Sequence, residues 1–355
     1  MSANRVSAED LEVFVTALFA KAGVPADDAT QVARCLVAAD LRGVVSHGVG
    51  RVPIYLHRLA VGLVDPRPAI VVEPLTPVAA RVDGANGFGF VVARRAMAEA
   101  MQRAGTFGIG LALAHRSTHF GMAASYLRQA IDGGLAAFVF TNASPAMPVW
   151  GGRTPFLGTS PFAFGAPGGD HGPPILLDMA TSVVARGKIR RAAAAGQPIP
   201  AGWALDRDGQ PTTDAQAGYD GIVLPLGGPK GSGLSLMMEV LAGVMSGAAF
   251  GGGVGSQYSD DDRPQNVGHM FVALRPDLAL PATEYRARMD ALAARAKSCP
   301  PVAGGGEILF PGEPEARLET ERRRNGIPLA REDLDGLATA ARELGLPPPP
   351  FLGQP

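Results

Sequence analysis

The sequence predicts a mixed α/β fold in which helical N- and C-terminal parts surround a central mixed sheet. Strand-like and helix-like segments alternate between residues 69 and 178, which is typical of an α/β core. Helical spacing instead dominates residues 7–62 and 284–344. The chain contains no G-x-G-x-x-G sequence, so a standard Rossmann domain is not predicted.

Three helices are predicted in the N-terminal part. Ser7 is a suitable helix cap, and apolar residues recur at helical spacing from Leu11 until Gly23 ends the segment. A second helix is expected at about 25–42 and a third at about 51–62.

The central part is predicted to alternate buried strands with helices. Short apolar runs between turn residues predict strands, and longer segments with a 3.6-residue period predict helices. The expected strands are residues 69–73, 78–82, 108–114, 135–140, 162–166, 175–178 and 267–274, and the expected helices are 88–103, 122–132 and 234–249. Glycine and proline indicate a long loop at 196–217 and a flexible loop at 251–265.

The C-terminal part is predicted to return to helices. These helices are expected at 284–297, 313–325 and 331–344, before a proline tail at 347–350. We therefore divide the chain into a helical part, residues 1–68 plus 282–355, and a central α/β part, residues 69–281, with a loop excursion near 196–217.

The composition excludes several classes of function. A formal charge of −1 and a pI near 6.6 provide no global field for a polyanion, so nucleic acid is not an expected partner. Two cysteines are too few for a disulfide framework, which suits a reducing compartment. Residues 1–30 lack the apolar core of a signal peptide, and no run approaches the length of a membrane span. We expect a cytoplasmic protein without a membrane partner.

The first candidate site is the segment from Ser46 to Arg51, with Tyr55 four residues further on. It contains His47, and a histidine titrates near neutral pH and can therefore donate and accept a proton. Arg51 can bind a carboxylate through two hydrogen bonds. The glycines around His47 favour a histidine that faces a cleft. The structural alternative makes Ser46 a helix cap and His47 a satisfied surface side chain.

The second candidate site is the segment from His115 to Gly121, where an apolar strand gives way to a helix. Ligands bind near such strand ends, and the N-terminus of a helix there favours anions such as the pyrophosphate of a dinucleotide. His115 and His119 also have the spacing of a zinc-binding pair. Arg116 stands where a zinc hydrolase needs its glutamate, so we expect no metal.

Two further groups of residues have weaker signals. Hydroxyl-rich turns follow several strands, and they either bind a polar ligand or are simple turns. Lys230 lies in a glycine-rich stretch before a helix, where it either contacts an anionic cofactor or is solvated. This stretch lacks the spacing of a Walker sequence, so ATP hydrolysis is not predicted.

Seven ordered motifs together resemble the malate/L-lactate dehydrogenase family, the type-2 family without a Rossmann fold. The motifs are Asp40-Leu41-Arg42-Gly43 with Ser46-His47-Gly48 and Arg51, His119-Phe120-Gly121, Trp150-Gly151-Gly152, Gly158-Thr159-Ser160-Pro161, Asp178-Met179-Ala180-Thr181-Ser182, Lys230-Gly231 with Gly233-Leu234, and Pro311-Gly312-Glu313. The resemblance covers nearly the whole chain. It implies a sulfolactate dehydrogenase-like fold and hydride transfer between NAD or NADP and a 2-oxo acid or a related imine.

The resemblance also implies roles for individual residues. His47 would donate and accept the proton, Ser46 would orient it, and His119 would share this role beside the nicotinamide. Arg51, Tyr55 and Thr159 would bind the small carboxylate substrate. The residues implied in cofactor binding are His119, Phe120, Gly121, Met122, Ala123, Ser144, Asp178, Met179, Ala180, Lys230, Gly231, Pro311, Gly312 and Glu313. A homodimer with the site near the subunit interface is also implied, with the helical part contributing to substrate binding and dimerisation.

Two departures from the family pattern bear on the substrate. Val45 stands where relatives commonly carry aspartate, which removes a carboxylate near His47. Lys188 stands where the imine reductases are expected to carry an acidic residue, and this favours a 2-hydroxy acid dehydrogenase over a Δ1-pyrroline- or Δ1-piperideine-2-carboxylate reductase. A non-catalytic protein that retains the fold is a further alternative.

Overall fold

The structure is a computed structural model in which residues 4–352 are described. The helices are α1 (Ala8–Lys21), α2 (Ala26–Leu41), α3 (Val52–Ala60), α4 (Gly89–Phe107), α5 (Ala124–Asp132), α6 (Arg186–Ala194), α7 (Ala215–Asp220), α8 (Pro229–Met238), α9 (Ala282–Lys297), α10 (Glu313–Asn325) and α11 (Arg331–Glu343). The strands are β1 (Asn4–Val6), β2 (Val71–Thr76), β3 (Ala79–Asp83), β4 (Ile109–Ser117), β5 (Ala136–Thr141), β6 (Phe162–Ala166), β7 (Ile175–Met179), β8 (Ala204–Leu205), β9 (Pro211–Thr212), β10 (Ile222–Val223), β11 (Val267–Leu274) and β12 (Ile327–Leu329).

A seven-stranded mixed sheet forms the centre of the molecule, in the order β2-β3-β4-β11-β5-β6-β7. Only the β3–β4 pair within it is parallel. Helices α4 and α5 bury their apolar faces against this sheet in one hydrophobic cluster. The mixed α/β architecture predicted from the sequence is confirmed.

The two ends of the chain share a second hydrophobic cluster. It unites α1, α2 and α3 with β12 and α11, and β1 pairs antiparallel with β12. The N-terminal helices and the last helix therefore support one another beside the sheet. The domain boundaries at 68/69 and 281/282 stay a prediction.

The region predicted as a long loop at 196–217 is instead folded. It contains β8, β9 and the start of α7, and a small third cluster buries Ile199, Ala204 and Ala215 together with Ile189 of α6. Gly196, Gly202 and Gly209 lie at its turns, which is why the glycine and proline content indicated a loop. The apolar residues needed a tertiary partner that local spacing does not reveal.

The predicted helix at 234–249 also differs from the structure. Helix α8 begins earlier, with Pro229 in its first turn after Gly228, whose φ is +64°. It continues into a π-helical segment at Glu239–Val244, and a turn follows. No helix within residues 4–352 is both long and apolar enough to cross a bilayer.

Candidate active site

A cleft of about 1460 Å³ is bordered by the α2–α3 connection, α11, strand β7 and the turn that follows β4. It exceeds the ~300–1,000 Å³ of pockets for single small molecules, so it has room for a dinucleotide and a substrate together. Most of the predicted site residues line it. They are Ser46, His47, Arg51, His119, Gly121, Met122, Ala123, Ser144, Thr159, Asp178, Ala180, Pro311 and Gly312.

His47 lies on two consecutive 3₁₀ turns that connect α2 and α3. The Ser46 hydroxyl oxygen is 2.9 Å from His47 Nδ1, and Arg51 Nε donates a hydrogen bond to the Ser46 carbonyl. The Ser46 hydroxyl therefore contacts the imidazole, and Ser46 caps none of the neighbouring helices, so the helix-cap alternative for Ser46 is wrong.

His119 enters the same cleft from the end of β4. Its ring stacks on that of His47, with centroids 5.4 Å apart and planes 21° from parallel. The Gly121 amide donates to His119 Nδ1 at 3.3 Å, and the Tyr55 hydroxyl lies 2.7 Å from the same nitrogen. Because Nδ1 accepts these hydrogen bonds, Nε2 carries the proton of the neutral ring. His119 thus presents a hydrogen-bond donor to the cleft.

Gly121 is required at this turn for two reasons. Its φ is +77°, a region that side chains disfavour, and a Cβ there would lie 2.5 Å from the ring of Phe90. Close packing of Gly121 against Phe90 keeps its amide directed at His119.

The His119 turn is anchored from behind by β11. His269 lies between two hydroxyls, with Nε2 2.8 Å from Ser117 Oγ and Nδ1 2.7 Å from Thr141 Oγ1. Its ring lies parallel to Phe120 at a centroid distance of 4.7 Å. The Gln265 side chain accepts a hydrogen bond from the His119 amide at 3.2 Å. Sequence reasoning missed His269 and Gln265, because their partners are remote from them in sequence.

Arg51 has an incomplete set of hydrogen-bond partners. Its Nη1 atom is buried and has no partner among the described residues, and its guanidinium lies 6.0 Å from the centre of the Tyr258 ring. A buried guanidinium nitrogen without a partner is costly unless an acceptor arrives. Since Arg51 lines the cleft, an anionic ligand is the fitting partner.

The imidazoles of His47 and His119 are held in the neutral form. Desolvation lowers the pKa of His47 to about 3, and the positive charge of Arg51 acts in the same direction. Burial also lowers the pKa of His119, with smaller contributions from Arg51, His47 and His269. A neutral imidazole can accept a proton, and a ligand carboxylate on Arg51 would offset the cation that disfavours its charged form.

Asp178 caps the first turn of α5. Its Oδ2 accepts a hydrogen bond from the Ala124 amide at 2.8 Å. A carboxylate of the protein therefore already occupies the helix end at which a dinucleotide pyrophosphate was expected. Burial raises the pKa of Asp178, and its hydrogen bonds to backbone amides act against this shift.

The other predicted site residues do not line the cleft. Tyr55 and Phe120 are buried behind His119, Met179 is half-buried in β7, and Gly231 is buried in the first turn of α8. Lys230 extends from that turn with its side chain exposed. Glu313 accepts hydrogen bonds from Lys297 and from the Phe310 amide. It thereby holds the Pro311-Gly312 turn that does line the cleft.

No cluster of three potential metal ligands was found in the part of the chain that the structure describes. His115 lies on β4 and does not line the cleft, whereas His119 does. The pair therefore does not converge on one site, and the zinc hydrolase alternative lacks a ligand set.

The sequence model for malate/L-lactate dehydrogenase matches residues 6–338. The chain is 38% identical to L-sulfolactate dehydrogenase of Methanocaldococcus jannaschii, over 92% of this chain and 93% of that one. A solved structure of the sulfolactate dehydrogenase from this organism superposes with a TM-score of 0.89 and 36% identity, covering 98% of each chain.

Other relatives bear on the cofactor and the substrate. A (2R)-3-sulfolactate dehydrogenase (NADP⁺) of Chromohalobacter salexigens is 37% identical over 76% of this chain and 81% of its own. A ureidoglycolate dehydrogenase (NAD⁺) of Escherichia coli is 33% identical over 91% of this chain and 92% of its own. The structure of a Δ1-piperideine-2-carboxylate reductase from Pseudomonas syringae superposes with a TM-score of 0.84 and 30% identity, covering 95% of this chain and 99% of that one.

Proposed function

The chain belongs to the malate/L-lactate dehydrogenase family, and on this premise we propose that it transfers a hydride between NAD(P)H and a small 2-oxo acid, forming the 2-hydroxy acid. The observation that carries the proposal is the convergence of His47, His119 and the unpartnered Arg51 Nη1 in one large cleft. This set supplies proton exchange and carboxylate binding together, which a non-catalytic protein does not need.

Three side chains perform the acid–base and binding steps in this proposal. In the oxidation direction, Arg51 binds the substrate carboxylate and neutral His47 accepts the hydroxyl proton. His119 donates a hydrogen bond from Nε2 and stabilises the developing oxyanion in the reverse reaction. The nicotinamide, when bound, supplies or receives the hydride. Ser46 and Tyr55 hold the two imidazoles in place.

The cleft residues fit a dinucleotide. Ser144, Asp178, Ala180 and the Pro311-Gly312 turn line the same cleft as His47 and His119, and they would hold the rest of the cofactor. The names of the relatives include both NAD⁺ and NADP⁺ enzymes, so we propose NAD(P) without a preference. Roles for Lys230, Gly231, Phe120, Met179 and Glu313 in cofactor binding stay a prediction.

We propose a substrate with a second acidic group, of the sulfolactate or malate type. Arg190 and Arg191 of α6 line the cleft in addition to Arg51, and they supply positive charge for a second anionic group. Several relatives of this chain are named as sulfolactate or malate dehydrogenases. A cyclic imine is the second candidate because of the piperideine-2-carboxylate reductase neighbour. Lys188 in α6 supplies no carboxylate for that chemistry and does not line the cleft.

An exposed apolar face supports a homodimer. Helix α8 and the π-helical segment present Leu236, Met237, Val240, Val244 and Met245, which are between 38% and 52% exposed. Apolar residues concentrated on one face mark a protein–protein interface. Light scattering in solution is expected to give twice the 36.6 kDa mass of one chain.

A cofactor-consumption assay tests the function. The purified protein is mixed with NADH or NADPH and with sulfopyruvate, oxaloacetate, pyruvate or Δ1-piperideine-2-carboxylate. We expect oxidation of the cofactor with a dianionic 2-oxo acid. Turnover with the imine alone would select the reductase, and no turnover with any of them would reject the proposal.

A further inference from the structure

The backbone between His47 and Arg51 contains two glycines whose presence the backbone angles do not explain. Gly48 has φ −88° and ψ −161°, which any residue can adopt. A steric cause is therefore needed. The structure supplies one at each glycine, and in both cases it is a carboxylate.

Asp40, in the last turn of α2, lies under Gly48. Its side chain is 3% exposed, and Oδ2 accepts a hydrogen bond from the Val49 amide at 2.7 Å. A Cβ at Gly48 would lie 1.9 Å from Asp40 Oδ1 and 2.2 Å from Cγ. Only glycine lets this carboxylate reach the backbone of the turn.

Asp333, in the first turn of α11, lies against Gly50. A Cβ at Gly50 would lie 2.3 Å from Asp333 Oδ1. Asp333 also lines the cleft. The segment 48–50, which joins the turn of His47 to the turn of Arg51, is therefore in close contact with two carboxylates.

The charged groups around the two carboxylates differ. Arg322 donates a hydrogen bond to the Asp40 carbonyl. Burial and the charge of Asp333 raise the pKa of Asp40, whereas the charge of Arg322 acts against this shift. Burial and the charge of neighbouring Glu332 raise the pKa of Asp333, whereas a backbone hydrogen bond at Ala330 and the charges of Arg191 and Arg190 act against this shift. Burial of an acidic side chain costs free energy unless hydrogen bonds compensate it. Asp40 accepts a hydrogen bond from a backbone amide beside the site, which indicates a role at the site.

We propose that Asp40 and Asp333 are positioning residues that clamp Gly48–Gly50 and thereby set the distance between the His47 imidazole and the Arg51 guanidinium. The clamp acts through the backbone, since neither carboxylate hydrogen-bonds to the imidazole or the guanidinium. The inference rests on the proposed function, because it assigns roles to His47 and Arg51.

Hydrogen exchange of the backbone tests the clamp without any assay of activity. In Asp40→Ala, the amides of a peptide covering residues 45–51 should exchange severalfold faster, because the Val49 amide loses its acceptor. Asp40→Asn keeps an oxygen acceptor and should retain the protection of the wild type. Unchanged exchange in Asp40→Ala would overturn the proposal.

Steady-state kinetics then test the consequence for the site. We expect Asp40→Ala to lower kcat about 10- to 100-fold and to raise KM for the 2-oxo acid, since a misplacement of about 1 Å has effects of this size. Asp40→Asn should restore most of the activity. If Asp40 only stabilised the fold, Asp40→Ala and Asp40→Asn would have the same kcat once both proteins are fully folded. Equal kcat values in the two variants would contradict the clamp.

A double-mutant cycle tests direct contact between Asp40 and Gly48. Gly48→Ala should be severely impaired, because its Cβ meets the Asp40 carboxylate. Asp40→Ala removes that carboxylate, so Gly48→Ala should cost less in the Asp40→Ala background than in the wild type. Strictly additive effects would show that the two residues act separately and would overturn the proposal.

Asp290 provides a matched control. Its carboxylate accepts backbone hydrogen bonds from Asp170, His171 and Gly172, in a loop remote from the cleft. Asp290→Ala should speed exchange in that loop and leave kcat and KM unchanged. If Asp40→Ala fails to fold, Asp333→Ala tests the contact at Gly50 instead, because it removes the carboxylate that packs against this glycine. Faster exchange in residues 45–51 would support the clamp, and unchanged exchange would overturn it. If the wild type transfers no hydride, the proposed function fails while the exchange results still decide the clamp.

Discussion

The segment of His47 and the turn of His119 bring two imidazoles to one cleft by different means. The His119 turn leaves a buried strand and is anchored by the neutral groups Gln265 and His269. The His47 segment lies between helices and is held by the carboxylates of Asp40 and Asp333. At neutral pH the contacts of the first arrangement contain no charged group, whereas the second depends on acidic side chains. Changes of charge should therefore act mainly on the His47 side.

Replacing the two histidines should break the comparison most strongly. We expect His47→Gln to lower kcat by about 10²–10⁴-fold, the usual contribution of a general acid–base group. His119→Gln should lower kcat less, because glutamine still donates a hydrogen bond. Dinucleotide binding, followed by NADH fluorescence, should stay near normal in His47→Gln. A larger loss of kcat in His119→Gln would transfer the acid–base role to His119.

Replacing Arg51 should separate substrate binding from proton transfer by His47. We expect Arg51→Leu to raise KM for the substrate by ~10²-fold, since losing one partner of a buried charge pair costs about 2–5 kcal/mol. The pKa of His47 should rise, because the Arg51 charge contributes to its depression. Histidine NMR titration and steady-state kinetics together measure both effects. An unchanged KM would remove Arg51 from the substrate site.

Replacing His269, which anchors the His119 turn, should affect the other side of the site. In His269→Leu, the hydroxyls of Ser117 and Thr141 lose their buried partner, and we expect a loss of about 1–3 kcal/mol in the free energy of unfolding. Denaturant unfolding measures it. Stability equal to that of the wild type would show that these hydrogen bonds contribute little.

The smallest expected effect is a difference in pH dependence. Burial raises the pKa of Asp40 to about 7, above its value of ~4 in the unfolded chain, so its contribution to stability is full below pH ~4 and is lost as the pH rises through about 7. Asp40→Asn should remove this dependence. The melting temperature of Asp40→Asn should therefore rise relative to that of the wild type as the pH increases from 5 to 8. A constant difference would contradict the raised pKa.

The histidines depend on pH with the opposite sign. Burial lowers the pKa of His269 to about 3, below its unfolded value of ~6.5, so its contribution is full above pH ~6.5 and is lost as the pH falls through about 3. Burial lowers the pKa of His47 to about 3 as well, so both sides of the site should lose stability at low pH. A loss of stability as the pH rises is expected only on the His47 side, through Asp40. This sharpens the contrast between a turn held by neutral groups and a segment held by carboxylates.

The sequence was informative where local spacing decides the structure. The strands at 162–166 and 267–274 and the helix at 313–325 begin and end where they were predicted. The family and the mixed fold are also confirmed, because ordered motifs carry information that single motifs lack. The motifs further identified many residues that line one cleft.

The remainder depends on contacts that are remote in sequence. Strand β1 is three residues long and exists only because β12 pairs with it. Asp40 was part of a motif, but its role depends on the Val49 amide, which spacing does not show. Lys230 was expected at a helix N-terminus and lies in the first turn of α8. It does not line the cleft, however, and only the tertiary fold shows this.

Isotope transfer tests the central claim most directly. The enzyme is supplied with NADH or NADPH deuterated on either face of C4, and the product formed from sulfopyruvate or oxaloacetate is analysed by mass spectrometry. The account predicts one deuterium at C2 of the 2-hydroxy acid from one of the two labelled faces. A hydroxy acid product without deuterium from either face, or no product at all, would contradict it.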